Sequence, residues 1–310
     1  MMVALVVPVT FARQEPGIPA APPLRAGVEE PRATFRSSAD LVSVAVVVRD
    51  NDGRLVTGLK ADDFEILDRG EKRPIVNFDR GQQADARMAL LVDSSGSMAT
   101  GLKRDRAKLA ADFLIAGFND GDAASVFAFD SDVRQLTSFT RNADTLRRAV
   151  AGVVPFGSTC LYDAILGTIQ KVKDETPRTR ALVLLTDGVD TASVRTAHDA
   201  ATAAASLDLP VYVLGVDNLP GAEPSSKPTS MTESGSTLSL GELARRTGGL
   251  ATEAAAPAQL SIVTRTILAE LHSQYVIAFA AGTEPGWHPL TVKVRKGRST
   301  ARSRDGYVVH

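Results

Sequence analysis

Residues 88–97 read Met-Ala-Leu-Leu-Val-Asp-Ser-Ser-Gly-Ser, five apolar residues running straight into a cluster of short, oxygen-bearing side chains. A run this short and this continuously apolar suits a strand buried on both faces of a sheet. Similar runs recur at residues 125–129, 181–185 and 211–216. Between them lie helical patterns at residues 107–118, 143–150, 161–172 and 194–207. Strand alternating with helix implies βαβ units, so the expected fold class is α/β: a doubly wound, mostly parallel sheet covered by helices on both faces. Residues 218–237, rich in Gly, Pro, Ser and Thr, read as a loop, and two further helices are expected over residues 238–246 and 257–272.

Outside this region the pattern changes. Residues 41–48 are mostly β-branched, and Asn51-Asp52-Gly53 signals a turn. Residues 64–67 and 74–78 read as two more strands around a turn at Asp68-Arg69-Gly70, with only a short helical turn near residues 60–64. In the tail, residues 274–280 are apolar, and Leu290, Val292 and Val294 alternate with Thr291, Lys293 and Arg295, the period of a half-exposed strand. Neither β segment is long enough to bury a core alone. Residues 39–82 and 273–310 are therefore expected to pair into one small β-sandwich, with the α/β domain, residues 83–272, inserted between its halves. Residues 13–38 contain Pro16, Pro19, Pro22, Pro23 and Pro31 and read as a proline-rich linker. Residues 3–12, VALVVPVTFA, resemble a secretory apolar segment with cleavage after Ala12, although a basic region ahead of it is missing. The segment is too short to span a bilayer, so residues 1–12 read as signal-like and the protein as exported: periplasmic, secreted or on the cell surface.

The bulk numbers narrow the function. A length of 310 residues accommodates roughly two domains of about 150 residues. A formal net charge of -1 gives no global field to recruit nucleic acid or an acidic membrane, and 5% aromatic residues weaken any base-stacking role. The single cysteine, Cys160, excludes an internal disulfide framework and a thiolate metal cluster. His198, His272, His288 and His310 are dispersed without zinc-type spacing.

Three stretches remain that carry chemistry: Asp93-Ser94-Ser95-Gly96-Ser97, Gly157-Ser158-Thr159 and Thr186-Asp187-Gly188. In a doubly wound sheet, ligands sit beyond the carboxyl ends of the strands, where Asp93 and Asp187 both fall. Asp, Ser and Thr are hard oxygen donors of the kind Mg²⁺ takes, with Mn²⁺ or Ca²⁺ as alternatives. Gly96 is expected to let the loop turn tightly, so that positions 93, 95 and 97 converge. Three hydroxyls and at most two carboxylates would leave such a cation only partly neutralised. It would then seek a carboxylate from outside, which a partner protein can supply.

The ordered set formed by Asp-x-Ser-x-Ser, Thr159 and Thr-Asp-Gly resembles the metal-ion-dependent adhesion site of von Willebrand factor type A domains, over residues 83–272. The resemblance implies that Ser95, Ser97 and Thr159 touch the metal and that Asp93 and Asp187 act largely through water. It also implies that the ligand is another protein. The flanks, with Val47-Val48-Arg49-Asp50, Gly58-Leu59-Lys60 and Asp63-Phe64, are similar to those of exported bacterial proteins carrying such a domain. Cys160 departs from the small apolar residue more usual after the threonine.

Local alternatives stand beside this reading. Asp93 and its serines suit a helix cap, Thr159 an N-cap, Asp187-Gly188 a turn, and Asp190 a solvated or capping residue. Asp130-Ser131-Asp132 reads as a hairpin turn, Cys160 as a packed hydrophobe and Trp287 as a turn or sandwich anchor. The leading expectation is a divalent-cation-dependent, adhesion-type binding module that grips an acidic residue of a partner protein and is not an enzyme. The alternatives are a metal-dependent hydrolase, with Asp163 or Asp190 as base, and a structural component stabilised by the cation.

Overall fold

Along the apolar run that opened the sequence, Met88, Leu90 and Val92 enter one hydrophobic layer while Ala89 and Leu91 enter another. A strand must be apolar at every position when both of its faces are covered. The computed structural model, which describes residues 41–80, 85–175, 181–216 and 238–309, realises that arrangement. The signal-like segment 1–12, the linker 13–38 and the loop 218–237 lie outside the described residues.

The chain begins with β1 (Leu41–Asp50), β2 (Phe64–Asp68), β3 (Glu71–Arg73) and β4 (Ile75–Asp79). The α/β region follows as β5 (Arg87–Asp93), α1 (Lys103–Ala116), β6 (Ala123–Phe129), β7 (Val133–Gln135), α2 (Ala143–Ala151), α3 (Leu161–Val172), β8 (Ala181–Thr186), α4 (Ala197–Ser206), β9 (Val211–Gly215), α5 (Leu240–Arg246), β10 (Ala251–Glu253) and α6 (Pro257–Ser273). The chain closes with β11 (Tyr275–Ala280), β12 (Gly286–Val294), β13 (Ser299–Arg302) and β14 (Gly306–Val309).

Among the described residues these strands form three sheets. The central one has the order β10-β9-β8-β5-β6-β7 and is parallel except for β7, which pairs antiparallel with β6 at the edge. Helices α1, α2 and α6 cover one face, and α3, α4 and α5 the other. The chain lays β6 on one side of β5 and later returns to lay β8 on the other. The topological switch point therefore falls between β5 and β8, where a crevice opens beyond the carboxyl ends of the strands.

The outer strands form two antiparallel sheets, β13-β1-β11-β4 and β14-β12-β2-β3. Their shared core includes Val44, Val46, Val48, Phe64, Ile66, Tyr275, Ile277, Phe279 and Val292. Leading and trailing segments thus pair directly, β1 with β11 and β2 with β12. The alternation in β12 buries Leu290 and Val292 and exposes Thr291 and Lys293, as its period predicts. It also turns His288 inward, 2.8 Å from the buried carboxylate of Asp68, which additionally accepts from the Tyr307 hydroxyl at 3.0 Å. Glu270 of α6 is fully buried and paired with Arg49 of β1 at 2.7 Å and with Arg302 of β13, tying the α/β layers to the flanking strands.

Element boundaries moved where capping or charge overrides apolar periodicity. Helix α4 starts at Ala197, three residues after the expected 194, because Thr196 and Asp199 form a reciprocal capping box. Helix α1 starts at Lys103 instead of 107, since its first turn, Lys-Arg-Asp-Arg, carries no apolar signal. The Asp130-Ser131-Asp132 turn joins β6 to β7 as a hairpin, with Phe129 opposite Val133.

Candidate metal centre

Asp93 ends β5, and Thr186, which ends β8, lies directly before Asp187. The two strands straddle the switch point, which brings both loops to one crevice. Around it the three loops singled out from the sequence are tied pairwise. The amide of Gly96 donates to the carbonyl of Gly157 at 2.9 Å, and that of Phe156 to the carbonyl of Ser94 at 2.7 Å, joining the first loop to the second. The amide of Thr191 donates to the carbonyl of Thr159 at 2.9 Å, and the Thr159 amide donates back to the Thr191 hydroxyl at 3.0 Å, joining the second to the third. Thr186 closes the ring: its hydroxyl donates to Asp93 Oδ2 at 2.6 Å and accepts from the amide of Gly188 at 3.0 Å.

Gly96 serves this ring differently from the tight turn expected of it. Its φ is not positive, but a Cβ there would sit 3.1 Å from the Gly157 carbonyl, so glycine permits the close approach of two backbones. Gly157 itself has a φ of 80° and Gly188 of 88°, left-handed conformations that need glycine.

Side chains of the first and third loops meet here, Asp93 with Thr186 and close to Asp187, while Thr159 is joined to the ring through its backbone. Ser95 Oγ and Ser97 Oγ lie 3.0 Å apart, and Asp93 Oδ1 accepts the Ser95 amide at 2.8 Å. Asp93, Ser95, Thr159 and Asp187 are all buried. Burial pushes the Asp93 carboxyl above the usual carboxylate range, the hydrogen bonds from Ser95 and Thr186 pull it down, and the nearby charge of Asp187 pushes the same way as burial. Asp187 is held on one side only: Oδ2 meets Lys103 Nζ at 3.0 Å, while Oδ1 is buried without a hydrogen-bond partner. A buried, unpartnered carboxylate oxygen is costly. Together with the Ser95–Ser97 hydroxyl pair, it offers the hard oxygen donors a divalent cation takes. Among the described residues no three His, Cys, Asp or Glu side chains cluster to hold an ion, so an ion here would depend on hydroxyl ligands.

The neighbouring candidates take structural parts. Asp190 Oδ1 accepts the Leu161 amide at 2.8 Å, capping α3, and Asp163 accepts the amides of Val194 and Arg195, each at 2.9 Å. Cys160 sits buried at the start of α3, where burial pushes its thiol up. Two participants escaped the sequence reading. Thr186 lay inside a quoted motif yet had no assigned part, and Lys103 had no signal at all, being one lysine in a basic helical turn.

The sequence profile of the von Willebrand factor type A domain family matches residues 88–189. A search of curated proteins finds no match. Among solved structures, an aerotolerance-related membrane protein from Bacteroides fragilis is 18% identical, over 60% of this chain and 98% of its own, with a TM-score of 0.46. A von Willebrand factor type A protein from Catenulispora acidiphila is 16% identical, over 88% of this chain and 75% of its own, with a TM-score of 0.48. Proximal thread matrix protein 1 from the mussel byssus, with a zinc-occupied MIDAS motif, is 15% identical, over 67% of this chain and 50% of its own, at a TM-score of 0.48. Residues 88–189 thus match the von Willebrand factor type A domain family, within a six-stranded, mostly parallel sheet of the doubly wound type.

Proposed function

We propose that the domain is a divalent-cation-dependent protein-binding module, with Ser95, Ser97 and Thr159 holding Mg²⁺ and with Asp93 and Asp187 supporting it through water. When bound, the ion would act as a Lewis-acidic anchor for a carboxylate on a partner protein. The observation that carries this reading is the Asp187 carboxylate, close to Asp93 at the switch point of the sheet, with its Oδ1 buried and without a hydrogen-bond partner. Such an oxygen has acceptor capacity left for a water held by a bound cation. Its sparing donor set, two carboxylates with one of them already paired to Lys103, would leave the ion electrophilic.

Hydrolysis finds less support. A metal-activated water needs a base free to take its proton. Both carboxylates open to that role, Asp163 and Asp190, are spent on backbone amides and the start of α3. Export agrees with the apolar segment at residues 3–12, and among the described residues no helix is long and apolar enough to cross a membrane.

The test is calorimetric titration of the full chain with Mg²⁺ and Mn²⁺, alongside Asp93→Ala. The wild type should bind one ion, and the variant should lose that binding while keeping its far-UV circular dichroism. Capture of partners from the native envelope fraction should vanish in chelator. Capture undiminished by chelator would sink the reading.

A further inference from the structure

Helix α1 opens on Lys103 and Arg104, with Arg106 in the same turn. Helix N-termini favour acidic residues, because the unsatisfied amides there already carry positive partial charge. A lysine at the first helical position therefore costs the helix something. What it gains lies across the crevice: Nζ of Lys103 is 3.0 Å from Asp187 Oδ2, with the lysine side chain 18% exposed and the aspartate 1%.

The two oxygens of the Asp187 carboxylate have different surroundings. Lys103 holds Oδ2, and Oδ1 is buried with no hydrogen-bond partner. Resting on the metal-dependent reading of this site, we infer that Lys103 is a built-in counter-cation that couples ion binding to the arrival of an outside carboxylate. Asp93 and Asp187 contribute two negative charges and Lys103 one positive. A divalent ion added to that set leaves one unit of positive charge, and a partner carboxylate removes it. Without Lys103, the two aspartates together would balance the ion's charge, so the partial neutralisation expected from the donor types alone depends on the lysine. The lysine therefore weakens the bare ion and strengthens the ternary complex. It also prevents two buried carboxylates from facing each other alone when no ion is bound. Its part is electrostatic positioning, and it would not touch the ion.

The experiment is Mn²⁺ titration of the full chain, followed by electron paramagnetic resonance, with and without acetate as a carboxylate probe. The variants are Lys103→Met, Lys103→Gln and Lys103→Arg. In the wild type, acetate should tighten Mn²⁺ binding. In the Met and Gln variants Mn²⁺ alone should bind tighter, by about tenfold if screening is water-like, and the enhancement by acetate should disappear. The Arg variant should behave as wild type. Lysine acting only as a structural prop would instead weaken Mn²⁺ binding in the neutral variants. Equal or weaker binding in both neutral variants overturns the inference and leaves the metal site standing. Absence of Mn²⁺ binding in the wild type overturns the metal reading itself, and this inference with it.

Discussion

Replacing Thr186 with Val tests whether the three loops act as one unit. Threonine and valine have nearly the same shape, so the change removes chemistry with little change in packing. Two hydrogen bonds disappear, from the hydroxyl to Asp93 Oδ2 at 2.6 Å and from the Gly188 amide to the hydroxyl at 3.0 Å. Thr186 is fully buried, so no water replaces either partner. A bond to an ionised carboxylate contributes about 1.5–3 kcal/mol and an ordinary amide bond about 1 kcal/mol. The variant should therefore be about 2–4 kcal/mol less stable in urea unfolding with chelator present. The pH dependence sharpens the test. Burial raises the Asp93 carboxyl in the folded state. A raised acid binds its proton more tightly when folded, so its contribution is fully present in acid and is lost as pH rises through the folded value. Removing the Thr186 donor raises that value further. The stability gap between variant and wild type should then widen from acid to neutral pH. A second readout is Mg²⁺: under the proposed function it should stabilise the wild type, and that stabilisation should shrink in the variant, because Asp93 is no longer aligned. A variant within about 0.5 kcal/mol of wild type at neutral pH would refute the idea that Thr186 joins Asp93 to the third loop.

Two further outcomes follow from charges elsewhere in the fold. Glu242 on α5 lies between Arg245 at 2.6 Å and Arg246 at 3.2 Å, which hold its carboxyl down to about 2. A depressed acid contributes above its unfolded value and loses that contribution as pH falls through the folded one. With its side chain about one-third exposed, Glu242→Gln should cost about 1 kcal/mol at neutral pH, and the difference should close as pH falls to about 2 in paired thermal melts. In the sandwich, His288→Ala would strip one partner from the buried Asp68 carboxylate and leave a void, at about 3 kcal/mol in urea unfolding. A loss under about 1 kcal/mol would mean that Tyr307 and Arg73 satisfy Asp68 without it.

The strands of the central sheet were legible because burial on both faces leaves no polar residue to obscure them, as in residues 88–92 and 181–185. The small strands were less so. Strand β7 is three residues long with its last two exposed, and β10 also spans three residues with none fully buried, so neither carries a hydrophobic pattern to read. The sandwich could be expected from chain economy, since each β segment needs a partner, but its polar interior could not. His288 and Asp68 are 220 residues apart in sequence, and only the β2–β12 pairing places them side by side.

The candidate metal centre divides along the same line. Asp93, Ser95, Ser97, Thr159 and Asp187 stand out because each sits in a short motif at the end of a strand or the start of a helix, where position alone implies exposure to a crevice. Thr186 and Lys103 stand out only once partners are known. The hydroxyl of Thr186 becomes informative when Asp93 is found 2.6 Å away across the β5–β8 switch. Lys103 becomes informative when its ammonium is found on one oxygen of Asp187 while the other has none. Motifs thus mark which atoms can face a ligand, whereas the charge those atoms present is set by neighbours drawn from distant segments. For this site that difference decides the chemistry. Two aspartates read alone balance the charge of a divalent ion, whereas under the proposed reading the same pair with Lys103 leaves that ion a unit positive and open to a carboxylate from elsewhere.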